Sequence, residues 1–163
     1  MKRWLIAIGV VLVLAGGYLA AVEFSGGAFF AFGLPLGGDR GIVRRMSMSF
    51  LEDIQFKDFI GAARYHSPDK QAAVDIPFII QRLFGVRPEV LDIMEREVVY
   101  SELDSTGNRA RVKVRVKVKD LMQLNVRDQE IILYYEREKP GAPWYMKLED
   151  SLRSLSAQPG KKS

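Results

Sequence analysis

The sequence predicts an α+β protein: an N-terminal transmembrane helix, then helices packed on a curved antiparallel sheet of about four strands. Three observations lead there. Trp4–Val22 runs nineteen residues without a charge. From Gly41 the apolar residues recur at helical spacing. Arg109–Lys119 then alternates without a break, the period of a half-buried strand. Helices followed by a run of strands is the α+β order.

Taken in order, residues 1–22 read as a membrane anchor. At about 1.5 Å per residue, nineteen residues match the roughly 30 Å of hydrocarbon. Trp4 and Tyr18 stand near the two ends, where amphipathic aromatics favour the interface. A cleaved signal is the competing reading. Its apolar core is normally about 7–15 residues with a small-residue site behind it, and Gly26-Gly27-Ala28 lies late for that. Lys2 and Arg3 precede the span and only Arg40 closely follows it, so the body is expected on the outer side of a bacterial-type inner membrane. If the membrane-associated stretch extends to Leu36, then Arg40, Arg44 and Arg45 remove that bias. Residues 23–40 read as an apolar, Gly-rich linker whose Phe24, Phe29, Phe30 and Phe32 meet headgroups, a partner or the domain itself.

Residues 41–152 read as the folded domain. Ile42, Met46, Phe50 and Ile54 recur four apart in a first helix. Asp58 caps a short second helix with Phe59, Ile60, Ala62 and Ala63 on its apolar side, ending at Ser67-Pro68. Asp75-Ile76-Pro77 opens a third, with Phe78, Ile79, Leu83 and Phe84 apolar and Gly85 as the stop. A short turn through Leu91 and Ile93 precedes a strand over Glu95–Leu103. Asp104–Asn108 turns the chain into Arg109–Lys119, with Ala110, Val112, Val114, Val116 and Val118 inward. Gln129–Glu138 is the next strand, and the run Ile131–Tyr135 predicts burial on both faces. Trp144, Met146 and Leu148 alternate in a closing strand, and residues 153–163 form a polar tail.

Composition narrows the chemistry. A chain of 163 residues holds one ordinary domain. With no Cys and one His, disulfides, thiolate nucleophiles and Cys-ligated zinc are excluded, and no metal or cofactor is expected. No glycine-rich phosphate loop follows a strand. His66, with Tyr65 beside it, is the candidate acid/base pair; a loop histidine closing a helix is the plainer reading. Neither Asp53 with Asp58 nor Glu149 with Asp150 forms a recognisable carboxylate dyad.

The net charge of +4 is local. Arg109, Arg111, Lys113, Arg115, Lys117 and Lys119 share one strand face, about 6.8 Å apart. Without them residues 41–163 carry 15 positive and 18 negative charges. The stripe suits an anionic partner such as headgroups or an acidic protein. The alternative is cross-strand neutralisation by Glu95, Glu97, Glu102, Glu130, Glu136 or Glu138, which register decides. No aromatics interleave the stripe, which argues against nucleic acid.

From about Val43 to Leu152 the chain resembles the nuclear transport factor 2-like, or cystatin-like cone, superfamily, and within it small membrane-anchored envelope members. The resemblance rests on Phe50-Leu51-Glu52-Asp53-Ile54, on Phe56–Ala63 closed by Ser67-Pro68, on the long alternating strand after a Gly-Asn turn, and on Trp144-Tyr145-Met146-Lys147-Leu148. The helical stretch Asp75–Ile93 is longer than the family minimum. The resemblance implies a pocket between sheet and helices, here lined by Phe50, Ile54, Phe59, Phe78, Leu83, Val114 and Trp144, residues that serve equally as core. It also implies a homodimer or envelope protein partner on the exposed sheet face. The expected function is a non-enzymatic binding or assembly module held to the membrane by residues 4–22. The alternatives are a small-molecule isomerase or dehydratase using His66 and Tyr65, and an accessory subunit of a larger membrane complex.

Overall fold

The computed structural model describes residues 38–156 and, before them, helical Gly9, Val11, Val13, Leu14, Gly16 and Gly17. The remainder of the expected anchor, the linker up to residue 37 and the tail from residue 157 lie outside the described residues. Among the described residues no helix is long and apolar enough to cross a membrane. The chain divides into two compact units, Met1–Ile42 and Val43–Ser163, and the second carries the sheet.

Helix α1 spans Gly38–Gln55, so the last three residues of the expected linker are helical. Its buried face is Val43, Ser47, Phe50, Leu51 and Ile54, whereas Ile42 is exposed and Met46 half-buried. A strict spacing of four drifts about 40° per step around the axis; the buried set alternates threes and fours and stays on one side.

Helix α2, Phe59–Ala63, is capped by Asp58, whose carboxylate accepts from Gly61 N at 2.8 Å. It buries Gly61 and Ala62 and leaves Ile60 exposed, against the expected apolar side. Pro68 opens a further four-residue helix, α3 (Pro68–Gln71), rather than only ending the one before. Proline suits a first helical turn because its missing N–H has no partner to lose there.

Helix α4, Ile76–Phe84, has the predicted Asp75 cap, accepting from Phe78 N at 3.1 Å, and a left-handed Gly85 stop at φ 68°. Its buried residues are Ile76, Ile80, Leu83 and Phe84. Phe78 is 53% exposed and does not face the interior. Two residues beyond Ile76 it sits roughly 200° around the helix, and the Arg82 guanidinium covers its ring at 5.7 Å.

A 3₁₀ turn at Pro88–Val90 leads into the sheet. Strands β1 (Leu91–Leu103), β2 (Arg109–Asp120), β3 (Asn125–Glu136) and β4 (Tyr145–Met146) pair antiparallel in the order β1-β2-β3-β4. β1 and β3 each begin four residues earlier than their sequence pattern indicates, extended by the β2 partners they pair with. Val98 faces Val114 and Val114 faces Ile131, which sets the inward row. Val112, Val114, Val116, Val118, Ile131, Leu133 and Tyr135 are buried with the inner faces of α1 and α4. Two register shifts interrupt β1, at Met94 and at Val99.

Two expectations fail at the C-terminal end. Ile132 and Tyr134 are half-buried rather than core, because they point to the outward sheet face with Lys113 and Arg111. The closing strand is two residues long, and Leu148 opens helix α5, Leu148–Ser156, where the sequence suggested strand and then tail. Leu148, Ser151 and Leu152 turn inward at helical spacing, and Glu149 and Asp150 favour the helix N-terminus. Ser151 Oγ donates to Lys147 O at 3.0 Å and accepts from Tyr134 N at 3.1 Å, which ties α5 to β3.

Candidate functional site

His66 lies in the turn between α2 and α3 and is 2% exposed. Its ring is held by Nδ1, which faces Ala63 O at 3.2 Å, and its backbone by Gln71 Nε2, which donates to His66 O at 2.8 Å. Nε2 is buried and has no partner. Burial pushes the imidazole below its ordinary pKa, although the Ala63 carbonyl opposes that. His66 forms part of the wall of a cleft of about 680 Å³ between the start of α3, the ends of β3 and β4, and the start of α5.

Tyr65 does not share this cleft. Its hydroxyl bonds Ser49 and Asp53, and burial first, then the Asp53 charge, raises its pKa. Its ring meets Phe50 edge-on at 6.0 Å. Asp53 and Asp58 come closer than their sequence positions suggested. A Cβ on Gly61 would meet Asp58 Oδ2 at 2.5 Å and Asp53 Oδ2 at 3.0 Å. Burial, and then the Asp58 charge, raises the Asp53 pKa.

The seven residues read as a pocket lining belong mainly to the core. Phe50, Ile54, Leu83, Val114 and Trp144 are buried in it, and Phe59 packs against it half-buried. Phe78 stands outside, and none of the seven borders the His66 cleft.

The basic stripe does occupy one outward face, and register supplies it with carboxylates. Arg111 pairs with Glu102 at 2.7 Å, Lys113 with Glu130 at 2.5 Å, and Lys117 with Glu95 at 2.7 Å. Arg115 bridges Glu130 at 3.3 Å and Glu97 at 3.5 Å. The Lys113 and Arg115 charges hold the Glu130 carboxyl below its usual range. Acidic residues on both flanking strands thus pair with four of the six cations of the middle one.

An apolar end of the sheet was not anticipated from the sequence. In the β2–β3 turn Met122 is 78% and Leu124 73% exposed, with Leu121 and Val126 also exposed. The turn is ordered: Asp120 Oδ1 accepts from Met122 N at 2.9 Å and Gln123 N at 3.2 Å. Leu121 N donates to Val90 O at 3.0 Å, and the Lys57 ammonium donates to the adjacent Leu91 O. Phe56, next to Lys57 in the chain, is exposed as well. Both loops contain a non-glycine residue at positive φ, Lys57 at 62° and Leu124 at 54°. The available signal was Leu121-Met122-Gln123-Leu124 standing where a hairpin normally places Gly, Asn or Asp.

No protein-family model matches the chain, and no curated protein does. Among the described residues no group of three or more His, Asp or Glu gathers as metal ligands.

Proposed function

We propose that this chain is a membrane-anchored, non-enzymatic binding or assembly module of the cell envelope. It grips a partner protein with the apolar end formed by Phe56, Leu121, Met122 and Leu124. The single observation that carries this reading is Leu124: a large apolar residue, 73% exposed, in a left-handed conformation. That conformation costs roughly 1–2 kcal/mol for an L-residue. A solvated turn needs neither the apolar side chain nor the strain, whereas a docked partner uses both. Burying one Leu or Met side chain returns about 1.5–3 kcal/mol.

The charges beside the turn favour a protein over a lipid surface. Asp120 and Asp128 stand with Lys119 and Arg127, a mixed rim. Headgroup attraction needs a cationic excess, while protein interfaces have polar rims of both signs. The uncharged run Trp4–Val22 supports the anchor, and Lys2 and Arg3 support a single pass with the domain outside. An accessory subunit of a larger membrane complex is a special case of the same reading. The stripe of Arg109–Lys119 is assigned no anionic partner, since four of its six cations already hold carboxylates.

The test is co-purification of the full chain from membranes in mild detergent, against the double variant Met122→Asp, Leu124→Asp. A stoichiometric partner lost from the variant, with thermal stability unchanged, is the expected result. The same companions in both preparations, or binding of the wild type to protein-free vesicles alone, overturns the reading.

A further inference from the structure

We propose that the cleft beside His66 is a binding site for a small organic ammonium ion with a compact apolar body. The inference is independent of the apolar end, which lies elsewhere on the domain.

The first argument is the histidine. A carbonyl oxygen only accepts, so the Nδ1 atom that faces Ala63 O carries the ring proton. Nε2 is then a bare acceptor, buried and unanswered by any protein donor. A buried polar atom without a partner is rare and costs free energy, so a missing donor is indicated.

The second is the charge lining the cleft. Its three cations are already engaged. Lys70 is held by Glu149 at 3.2 Å and Lys147 by Glu136 at 2.9 Å. Arg137 Nε donates to Gly107 O at 3.0 Å while its guanidinium stacks over Trp144 at 4.4 Å. Among the described residues the Asp69 and Glu138 carboxylates, which also line the cleft, hold no ion pair or side-chain hydrogen bond. The unengaged charges are therefore negative and the imidazole nitrogen is an acceptor, while the Ser67 and Tyr145 hydroxyls, which also line the cleft, can donate or accept; the charge balance favours a positively charged donor over an anion.

The third is shape. A volume of about 680 Å³ falls within the usual size range of ligand pockets. Val74, Ile79, Met146 and Leu148 supply an apolar wall. A primary ammonium with a ring or short branched body satisfies all three requirements: N–H donors, positive charge and apolar bulk. Nε2 is buried, so a ligand in the cleft reaches it only when a side chain of the cleft wall moves.

The chain has a single histidine, so its imidazole Hε1 resonance reports on this site alone. The full chain in detergent is titrated with cyclohexylammonium, with cyclohexanecarboxylate and cyclohexanol as controls of the same body. A saturable shift of the His66 signal with the ammonium, in the millimolar range, is expected, and none with the carboxylate. Asp69→Asn and Glu138→Gln, singly and together, should leave the melting temperature unchanged, and the pair should weaken binding about tenfold, as loss of charge-assisted contacts requires. No saturable response to the ammonium, equal affinity for the carboxylate, or wild-type affinity in the double variant overturns the proposal.

Discussion

The hydroxyls of Ser47 and Tyr135 lie 2.7 Å apart in the buried core and join α1 to β3 across 88 residues of sequence. Ser47 Oγ also donates to Val43 O at 2.8 Å, so in the pair Tyr135 donates and Ser47 accepts. The two deletions are therefore unequal. Ser47→Ala leaves a buried phenol without an acceptor and should cost about 1–3 kcal/mol. Tyr135→Phe removes the donor and leaves Ser47 bonded to Val43, for a loss nearer 0.5–1.5 kcal/mol. Urea denaturation of the two variants checks the order. Burial raises the Tyr135 pKa, so its neutral form is favoured in the fold. That contribution is complete below the unfolded phenol value of about 10 and is lost as pH rises beyond it. Tyr135→Phe should blunt the alkaline loss of stability.

His66 imposes the opposite limit. Its pKa is lowered by burial, so the folded chain favours the neutral ring. The unfolded chain binds the extra proton, and stability falls as pH drops below about 6.5, the unperturbed value. It is complete above that pH. His66→Gln removes the titrating group, and melting temperatures from about pH 5 to pH 8 should be flatter for the variant. A parallel decline in both proteins would assign the acid sensitivity to carboxylates instead.

Leu124→Gly should raise stability while weakening partner capture. Glycine enters the left-handed region freely, which recovers part of the roughly 1–2 kcal/mol of strain, against about 0.4–1 kcal/mol of added unfolded-state entropy. A small rise in melting temperature with a loss of co-purification is the expected pair of results. A lower melting temperature would mean that Leu124 packs on its own domain.

The charged sheet face should prove weakly coupled. Lys113 and Glu130 are partly exposed, and exposed cross-strand ion pairs contribute about 0.2–1 kcal/mol. A double-mutant cycle of Lys113→Ala with Glu130→Ala should return a coupling in that range, reduced in 1 M salt, where the screening length is about 3 Å. Reversal of Arg111, Lys113 and Arg115 to Glu should destabilise through repulsion by Glu102, Glu130 and Glu97, a loss that salt partly restores.

Much of the architecture is legible because it is local. The alternation in β2 is uninterrupted, and the Asp75 and Gly85 signals bracket α4. Positions that depend on rotation about a helix were harder to read. Phe78 and Ile60 are apolar and near the right spacing, yet both face outward, since one residue of phase moves a side chain by about 100°. The helical fate of Leu148–Ser156 was hidden because Trp144-Tyr145-Met146 alternates just before it. His66 stood out only by being the lone histidine. Its cleft joins α3 to β4 and α5, which follow one another far along the chain from α3, and no spacing relates the two regions. The pairing of the basic stripe was open for the same reason. Only the register of β1 and β3 against β2 brings Glu95, Glu97, Glu102 and Glu130 beside it.

The slips at Met94 and Val99 bear on solubility. β1 is an outer strand of the sheet, thirteen residues long, and a straight strand of that length invites a second chain to add to it. Each slip inserts one unmatched residue, so the free amides and carbonyls beyond it fall out of step with any regular newcomer. Growth by strand addition is therefore hindered at the rim, and the domain can keep an apolar end exposed without assembling into fibres.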